Sequence, residues 1–351
     1  MTAIDLASNG RTVGYVGSDV PVELILAAGA RPLRLSGRAG HVTPRADEFV
    51  ERAFMPDVRS IAEQWLDGSL AFVDAVVLPR SDDSAQRLYY YICELQRRGL
   101  CDGPRPIMYD VANIGRQTSS AYTLAATVRL AQELGSDSTK LTAAAEVVTR
   151  RSAFLAELSA LRLEPNPPHG SAIHAMARAA AGDWSSDFEA SARETLRGLP
   201  RATPAARVLL AGSTPPDERL HLALEAQGVA VVRELNDARF LETPSVIGPS
   251  CTFEDIAVRH HLRRNTAQLL MQAPEALVDE ARAVRADGVL VWMIEEDETL
   301  VWEMPAQVRA LERAGIPTLL LTRQAWDAGP DTLERIKRFA DELKGARRER
   351  P

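Results

Sequence analysis

Short apolar runs alternate with longer stretches of helical periodicity along most of this chain. Phe72–Pro79 (FVDAVVLP) reads as a buried strand, followed by a helix over Asp83–Arg98. Pro106–Val111 reads as a second strand, followed by a helix over Ser119–Glu133. Earlier, Val22–Gly29 predicts a short helix closed by its glycine and leading into a strand at Arg31–Leu35. Strands joined in turn by helices and short connections imply a parallel sheet covered on both faces.

Between Ser138 and about Pro204 the strand pattern stops. Alanine-rich Thr139–Leu163, Ser171–Ala181 and Ser186–Leu199 all carry helical periodicity, broken by the proline-rich Glu164–Gly170. The alternation then resumes with strands at Arg207–Ala211, Val229–Arg233, Gly288–Ile294 and Pro317–Thr322. Helices are expected at Asp217–Gln227, Phe253–Gln272, Pro274–Arg285, Pro305–Ala314 and Thr332–Gly345. The predicted fold class is α/β, with two Rossmann- or flavodoxin-like parallel-sheet domains joined by a helical segment. Its domains span 1–137 and 205–351, with the helical segment over 138–204.

In open parallel sheets ligands bind beyond the carboxyl ends of the strands. Three polar segments, Ser81–Ser84, Leu235–Asp237 and Glu295–Asp297, follow predicted strands at that edge, and the topology predicts that they gather between the two halves.

At 351 residues, with 46% hydrophobic and 25% charged residues, the composition is that of a globular protein with room for two cores. The N-terminus lacks a secretory pattern and no apolar run reaches membrane-span length, so no membrane partner and a cytoplasmic location are expected. A net charge of −7 argues against a nucleic-acid partner, with Arg259–Arg264 as a local basic patch. The three cysteines, Cys93, Cys101 and Cys251, lack metal-site spacing, and Cys93 is expected in the core.

Several segments resemble the family of 2-hydroxyacyl-CoA dehydratases and benzoyl-CoA reductases, most closely a D-component-like subunit. GYVGSDVPVELILAAGARPLRL (Gly14–Leu35) is similar to the family's GYxCSxxPEELIxAAGxxPxRL, and FMPDVRS (Phe54–Ser60) to FCPxxRS, with Met55 in place of a cysteine. SDDSAQRLY (Ser81–Tyr89) resembles TCDSxRRLY, ELNDARF resembles DLCTGSR, and Ala286–Pro305 resembles ADGVIFxxxKFCDPHxxDYP. Arg207–Val232 is similar to the start of the family's second α/β domain.

The resemblance implies a 4Fe–4S cluster held by three cysteines, electron transfer from an ATP-driven activator and dehydration of an acyl-CoA through a ketyl radical. At the three ligand positions this chain carries Asp82, Asn236 and Asp297. Soft thiolates suit iron–sulfur clusters, whereas hard oxygen ligands suit Mg²⁺, Mn²⁺ or Ca²⁺ and can take Fe²⁺ or Zn²⁺. The substitutions therefore argue against a 4Fe–4S cluster and for one of three sites: a divalent metal on Asp82, Asn236 and Asp297, a solvated acidic cleft, or a pair of carboxylates working as acid and base.

Ser18 matches a family serine beside the substrate thioester and is a candidate donor to a substrate carbonyl. Equally, Ser18 or Asp19 could cap the helix beginning near Val22. The candidate catalytic residues are Ser18, Asp82 and Asp297. Arg87 matches a family arginine and is expected to be a surface ion-pair partner. The loop Gly212–Pro216, between a strand and a helix, could meet a phosphate with its backbone amides or simply start the helix; it lacks both GxGxxG and a Walker lysine. The histidines form no zinc motif; His260 and His261 are adjacent, while His169 and His174 lie near a loop. Trp292 is expected in the sheet core, and Trp302 could line the cleft.

Three functions remain open: a cluster-free enzyme acting on an acyl-CoA or other small carboxylic substrate, with lyase-like chemistry; a non-catalytic partner of a cluster-bearing homologue; and a small-molecule binding protein. Family members act as pairs of related chains, so the resemblance also implies a homo- or heterodimer.

Overall fold

The computed structural model describes residues 10–112, 116–236, 250–262, 273–298 and 301–348. It divides into two compact units, each built on one four-stranded, all-parallel sheet. The first takes in residues through Ala153, the short segment Ala181–Ser186 and the segment holding Phe253–Leu262; the second takes in the rest.

In the first unit the strands are β1 (Thr12–Tyr15), β2 (Arg31–Arg34), β3 (Ala75–Pro79) and β4 (Arg105–Tyr109), ordered β2-β1-β3-β4. Helices α1 (Val22–Ala27), α2 (Ala46–Phe49), α3 (Pro56–Leu66), α4 (Asp83–Arg97) and α5 (Gln117–Leu134) form or follow the crossovers. Every residue of β1 and β3 is buried. Alternate residues of β3 enter different cores: Ala75 and Val77 join Val13, Tyr15 and Leu130, while Val76 and Leu78 join Ile61, Trp65 and Leu88. Period-two alternation between two apolar layers is how a parallel sheet covers both faces, at roughly 1.5–3 kcal/mol for each large side chain fully buried.

Strand β3 begins three residues later than its apolar run predicts. Phe72 is exposed, and the Asp74 carboxylate is taken up by the Thr12 N–H at 2.7 Å. Cys93 is half-buried rather than in the core, because its place on α4 lies beside the buried stripe of Leu88, Ile92 and Leu95.

Two distant segments complete this unit. The Tyr15 hydroxyl donates to the Ala181 carbonyl at 2.8 Å. Helix α10 (Phe253–Leu262) is held by a buried Glu23, whose carboxylate lies 2.7 Å from the Arg259 guanidinium. His260 meets the Tyr109 ring edge-on. The described part of the predicted basic patch is thus engaged in packing. Its remainder, and the expected extension of this helix to Gln272, lie outside the described residues.

The second unit repeats the topology: β5 (Ala206–Gly212), β6 (Val229–Leu235), β7 (Gly288–Ile294) and β8 (Thr318–Gln324), ordered β6-β5-β7-β8. Its helices include α9 (Arg219–Glu225), α11 (Ala276–Ala283), α12 (Met304–Arg313) and α13 (Pro330–Arg348). The helical middle of the sequence forms α6 (Leu141–Leu161), α7 (Gly170–Gly182) and α8 (Phe188–Arg197). Phe154, Leu158, Ile173, Ala192 and Leu196 make a small core of their own in this unit. No helix among the described residues is long and apolar enough to cross a membrane.

The end of β5 is the tightest backbone approach bearing on the site. Gly212 has φ +109°, and a Cβ there would stand 2.2 Å from the Trp292 carbonyl oxygen of β7. Both the conformation and the space require glycine. Gly212→Ala is expected to cost roughly 3–5 kcal/mol, read as a lowered urea midpoint at unchanged slope.

Candidate functional site

In each sheet the chain leaves the first strand towards one side and the third towards the other, which makes a topological switch point between them. In the first unit that point lies between β1 and β3. The loop after β1 carries Gly17, Ser18 and Asp19, and the loop after β3 carries Ser81 and Asp82. The Ser81 hydroxyl donates to Asp19 Oδ2 at 2.5 Å, tying the two loops together.

Asp82 is the N-cap of α4, its Oδ1 accepting the Ala85 N–H at 2.7 Å. A carboxylate at this place satisfies an otherwise unpaired helix donor and faces the positive end of the helix dipole. Ser84, in the first turn, accepts the Met55 N–H at 3.0 Å and so joins α4 to the start of α3. There Asp57 accepts the Val58 N–H at 2.8 Å. The N-cap position of α1 is Pro21, which makes no side-chain bond, and Asp19 accepts from Ser81.

Asp57 lies in the field of Asp82. Burial, reinforced by the charge of Asp82, pushes the Asp57 carboxyl up to about 6. Burial also raises Asp82, against the opposing Ala85 N–H, with Asp83 and Asp19 adding to the rise. Two carboxyls whose pKa values are both raised are suited to exchanging protons with a substrate. Arg87, farther along α4, pairs with Glu51 and Asp83 and lies 4.4 Å over the Phe54 ring, the surface role expected of it.

The switch point of the second unit lies between β5 and β7. Ser213 donates its N–H to the Trp292 carbonyl at 2.8 Å and its hydroxyl to Asp297 Oδ2 at 2.7 Å, while accepting the Ile294 N–H at 3.1 Å. Asp297 is half-buried and its carboxylate is oriented by this serine. Trp292 is fully buried in the sheet, as expected, whereas Trp302 is 83% exposed.

Asn236, just beyond β6, is 1% exposed and donates its amide N–H to Glu234 Oε2 at 3.0 Å. Glu234 Oε1 is approached by Arg162 Nη1 at 2.6 Å, His221 Nε2 at 3.1 Å and His174 Nδ1 at 3.2 Å. Burial alone would raise this carboxyl, but Arg162, His174 and His221 together hold it well below the usual carboxylate range. Burial lowers His221, with Glu234 opposing.

This cluster escapes a reading by spacing. Its members lie at positions 162, 174, 221 and 234, on or just beyond three helices and one strand. One signal could have found it: Glu234 interrupts the apolar run VAVVREL, and a carboxylate buried in a sheet demands cationic or hydrogen-bonding partners. Of the sequence-derived candidates, Ser18 and Asp82 stand on the first unit's switch-point loops. Asn236 and Asp297 stand at the carboxyl edge of the second unit's sheet. Asp237 lies outside the described residues.

The family model described as 2-hydroxyglutaryl-CoA dehydratase, D-component, matches residues 18–343. The chain belongs to this family. No curated protein matches the sequence. The matched span takes in seven of the eight described strands and the loops at their carboxyl ends from Ser18 onward; β1 and the loop residues Val16 and Gly17 precede it.

Two substitutions separate the electrostatic features. Because Asp57 has a raised folded-state pKa, its own contribution to stability is expected to fall as pH climbs from about 4 to about 6. Asp57→Asn removes that penalty and is expected to gain roughly 1–3 kcal/mol at pH 8 but nothing at pH 3, measured by urea denaturation at both values. Glu234→Gln leaves Arg162 buried without its anion and is expected to cost about 3–5 kcal/mol at pH 7, measured the same way.

Proposed function

We propose that this dehydratase-family protein works without a 4Fe–4S cluster. In this reading it is an enzyme, or a subunit of one, that acts on an acyl or other small carboxylic substrate by acid–base chemistry. The observation that carries the reading is the raised pKa of both Asp57 and Asp82, the latter on a loop of the first unit's switch point and its charge acting on the former. Further support comes from the donor set at the positions where the resemblance implies cluster cysteines. Asp82 caps a helix, Asn236 donates to Glu234, and Asp297 accepts from Ser213. Two hard carboxylates and an amide do not suit iron–sulfide chemistry.

Polar elimination needs a hydrogen made acidic by a neighbouring carbonyl. A substrate with its hydroxyl β to the carbonyl fits this demand, because the α-carbon then gives up the proton. In the proposed step one carboxylate of the pair takes that proton. The C–O bond breaks, and the other group, as the carboxylic acid, protonates the departing hydroxyl to give water and an α,β-unsaturated acyl product. Ser18, adjacent to Asp19, is the proposed donor to the substrate carbonyl. Asp297, oriented by Ser213, is the corresponding carboxylate of the second unit, and its role is proposed as a further acid–base group.

A second reading is favoured by the family description itself, which names a component of a larger enzyme. Here the chain holds or regulates a related subunit, as a homo- or heterodimer.

The test starts with full-length protein purified without oxygen, assayed for iron, sulfide and visible absorption, then for water elimination and α-proton exchange on 2- and 3-hydroxyacyl thioesters. Expected are no cluster absorption, and exchange on a 3-hydroxyacyl thioester that is lost in folded Asp82→Asn and whose pH profile breaks near 6. Stoichiometric iron and sulfide would overturn the cluster-free reading. Activity that arises only with a cluster-bearing partner would transfer the conclusion to the subunit role. A divalent metal lost in Asp297→Ala would replace simple acid–base catalysis with Lewis-acid catalysis.

A further inference from the structure

We propose that His174, His221 and Glu234 form a zinc-class dication site inside the second unit, separate from the Asp57–Asp82 pair and independent of its function. The fourth ligand would be a small anion, such as hydroxide or a carboxylate.

The geometry around Glu234 Oε1 motivates the assignment. Three nitrogens approach this single oxygen, Arg162 Nη1 at 2.6 Å and the two imidazole nitrogens at 3.1 and 3.2 Å. A carboxylate oxygen offers about two lone-pair directions, one fewer than the donors crowded on it. Arg162 makes the short contact, the two imidazole nitrogens stand farther off, and the three prospective ligand atoms lie within 4.8 Å of one another. Bonds of about 2.0–2.1 Å in a tetrahedral zinc site place neighbouring ligand atoms about 3.3 Å apart. The observed His–Glu separations are close to that spacing before any ion is bound.

A second observation concerns the far side of each ring. His174 Nε2 and His221 Nδ1 are buried without a hydrogen-bond partner, on side chains only 4% and 0% exposed. Each ring therefore has its polar contact on the side facing Glu234, where a dication would sit, and its far nitrogen calls for a buried water as partner.

The donor chemistry selects the class of ion. Two imidazoles and one carboxylate suit Zn²⁺ and its first-row neighbours, and not Ca²⁺ or Mg²⁺, which prefer all-oxygen sites. The remaining contacts resemble the outer support that ligating carboxylates need: Arg162 on Oε1 and the Asn236 amide on Oε2. A dication beside one carboxylate and one guanidinium leaves an excess of positive charge, which is why the fourth ligand should be anionic.

The experiment uses tag-free, full-length protein dialysed against chelator and titrated with Zn²⁺ by calorimetry and with Co²⁺ by visible spectroscopy. Expected are one equivalent per chain, intense four-coordinate Co²⁺ bands and a metal-dependent rise in Tm that chelator reverses. Affinity should fall by more than about tenfold in His174→Gln and His221→Gln, whose fold is checked by circular dichroism. Uptake well below one equivalent by folded wild type, or unchanged affinity in either folded variant, would overturn the site. Should both variants fail to fold, the wild-type Co²⁺ spectrum decides, because weak six-coordinate bands would equally reject it.

Discussion

Parallel strand pairing is the constraint on which both units depend. A parallel strand cannot return by a hairpin, so each connection must cross over the sheet and bury one of its faces. The result is visible in β3, where successive residues serve opposite apolar layers. It also sends every strand's carboxyl end to the same edge. Polar loop residues then collect there because the rest of the sheet is already covered.

At that edge the two units solve one mechanical problem with the same chemistry. The loops on either side of each switch point must be held in register although their connections run in opposite directions. In the first unit Ser81 donates to Asp19, and in the second Ser213 donates to Asp297. Donor and acceptor exchange strands between the two cases, since the serine follows the third strand in one and the first strand in the other. The second unit adds Gly212, whose lack of a side chain lets β5 pass against the Trp292 carbonyl and brings Ser213 within reach of Asp297.

Away from the edge, Glu234 imposes a different demand. A charge buried in a strand is tolerable only when opposing charge and hydrogen bonds surround it. Arg162, His174, His221 and Asn236 meet that demand from separate elements. The same carboxylate thus organises the end of β6 and fixes the amide of Asn236, the residue found where the family resemblance implies a cluster ligand.

The fold was legible in residue order because its signals are local. Apolar runs such as Ala75–Pro79 and Gly288–Ile294, each followed by helical periodicity, specify strands and crossovers without reference to distant residues. Ser18, Asp82 and Asp297 could be placed at strand ends for the same reason, and motif resemblance supplied the family. Spacing alone misjudged what depends on direction: Phe72 lies outside its strand, and Cys93 beside the buried stripe of its helix. The action of the Asp82 charge on Asp57 and the convergence on Glu234 were decided only by the tertiary structure. Both arise from through-space charge and burial between residues far apart in the chain, quantities that no local pattern encodes.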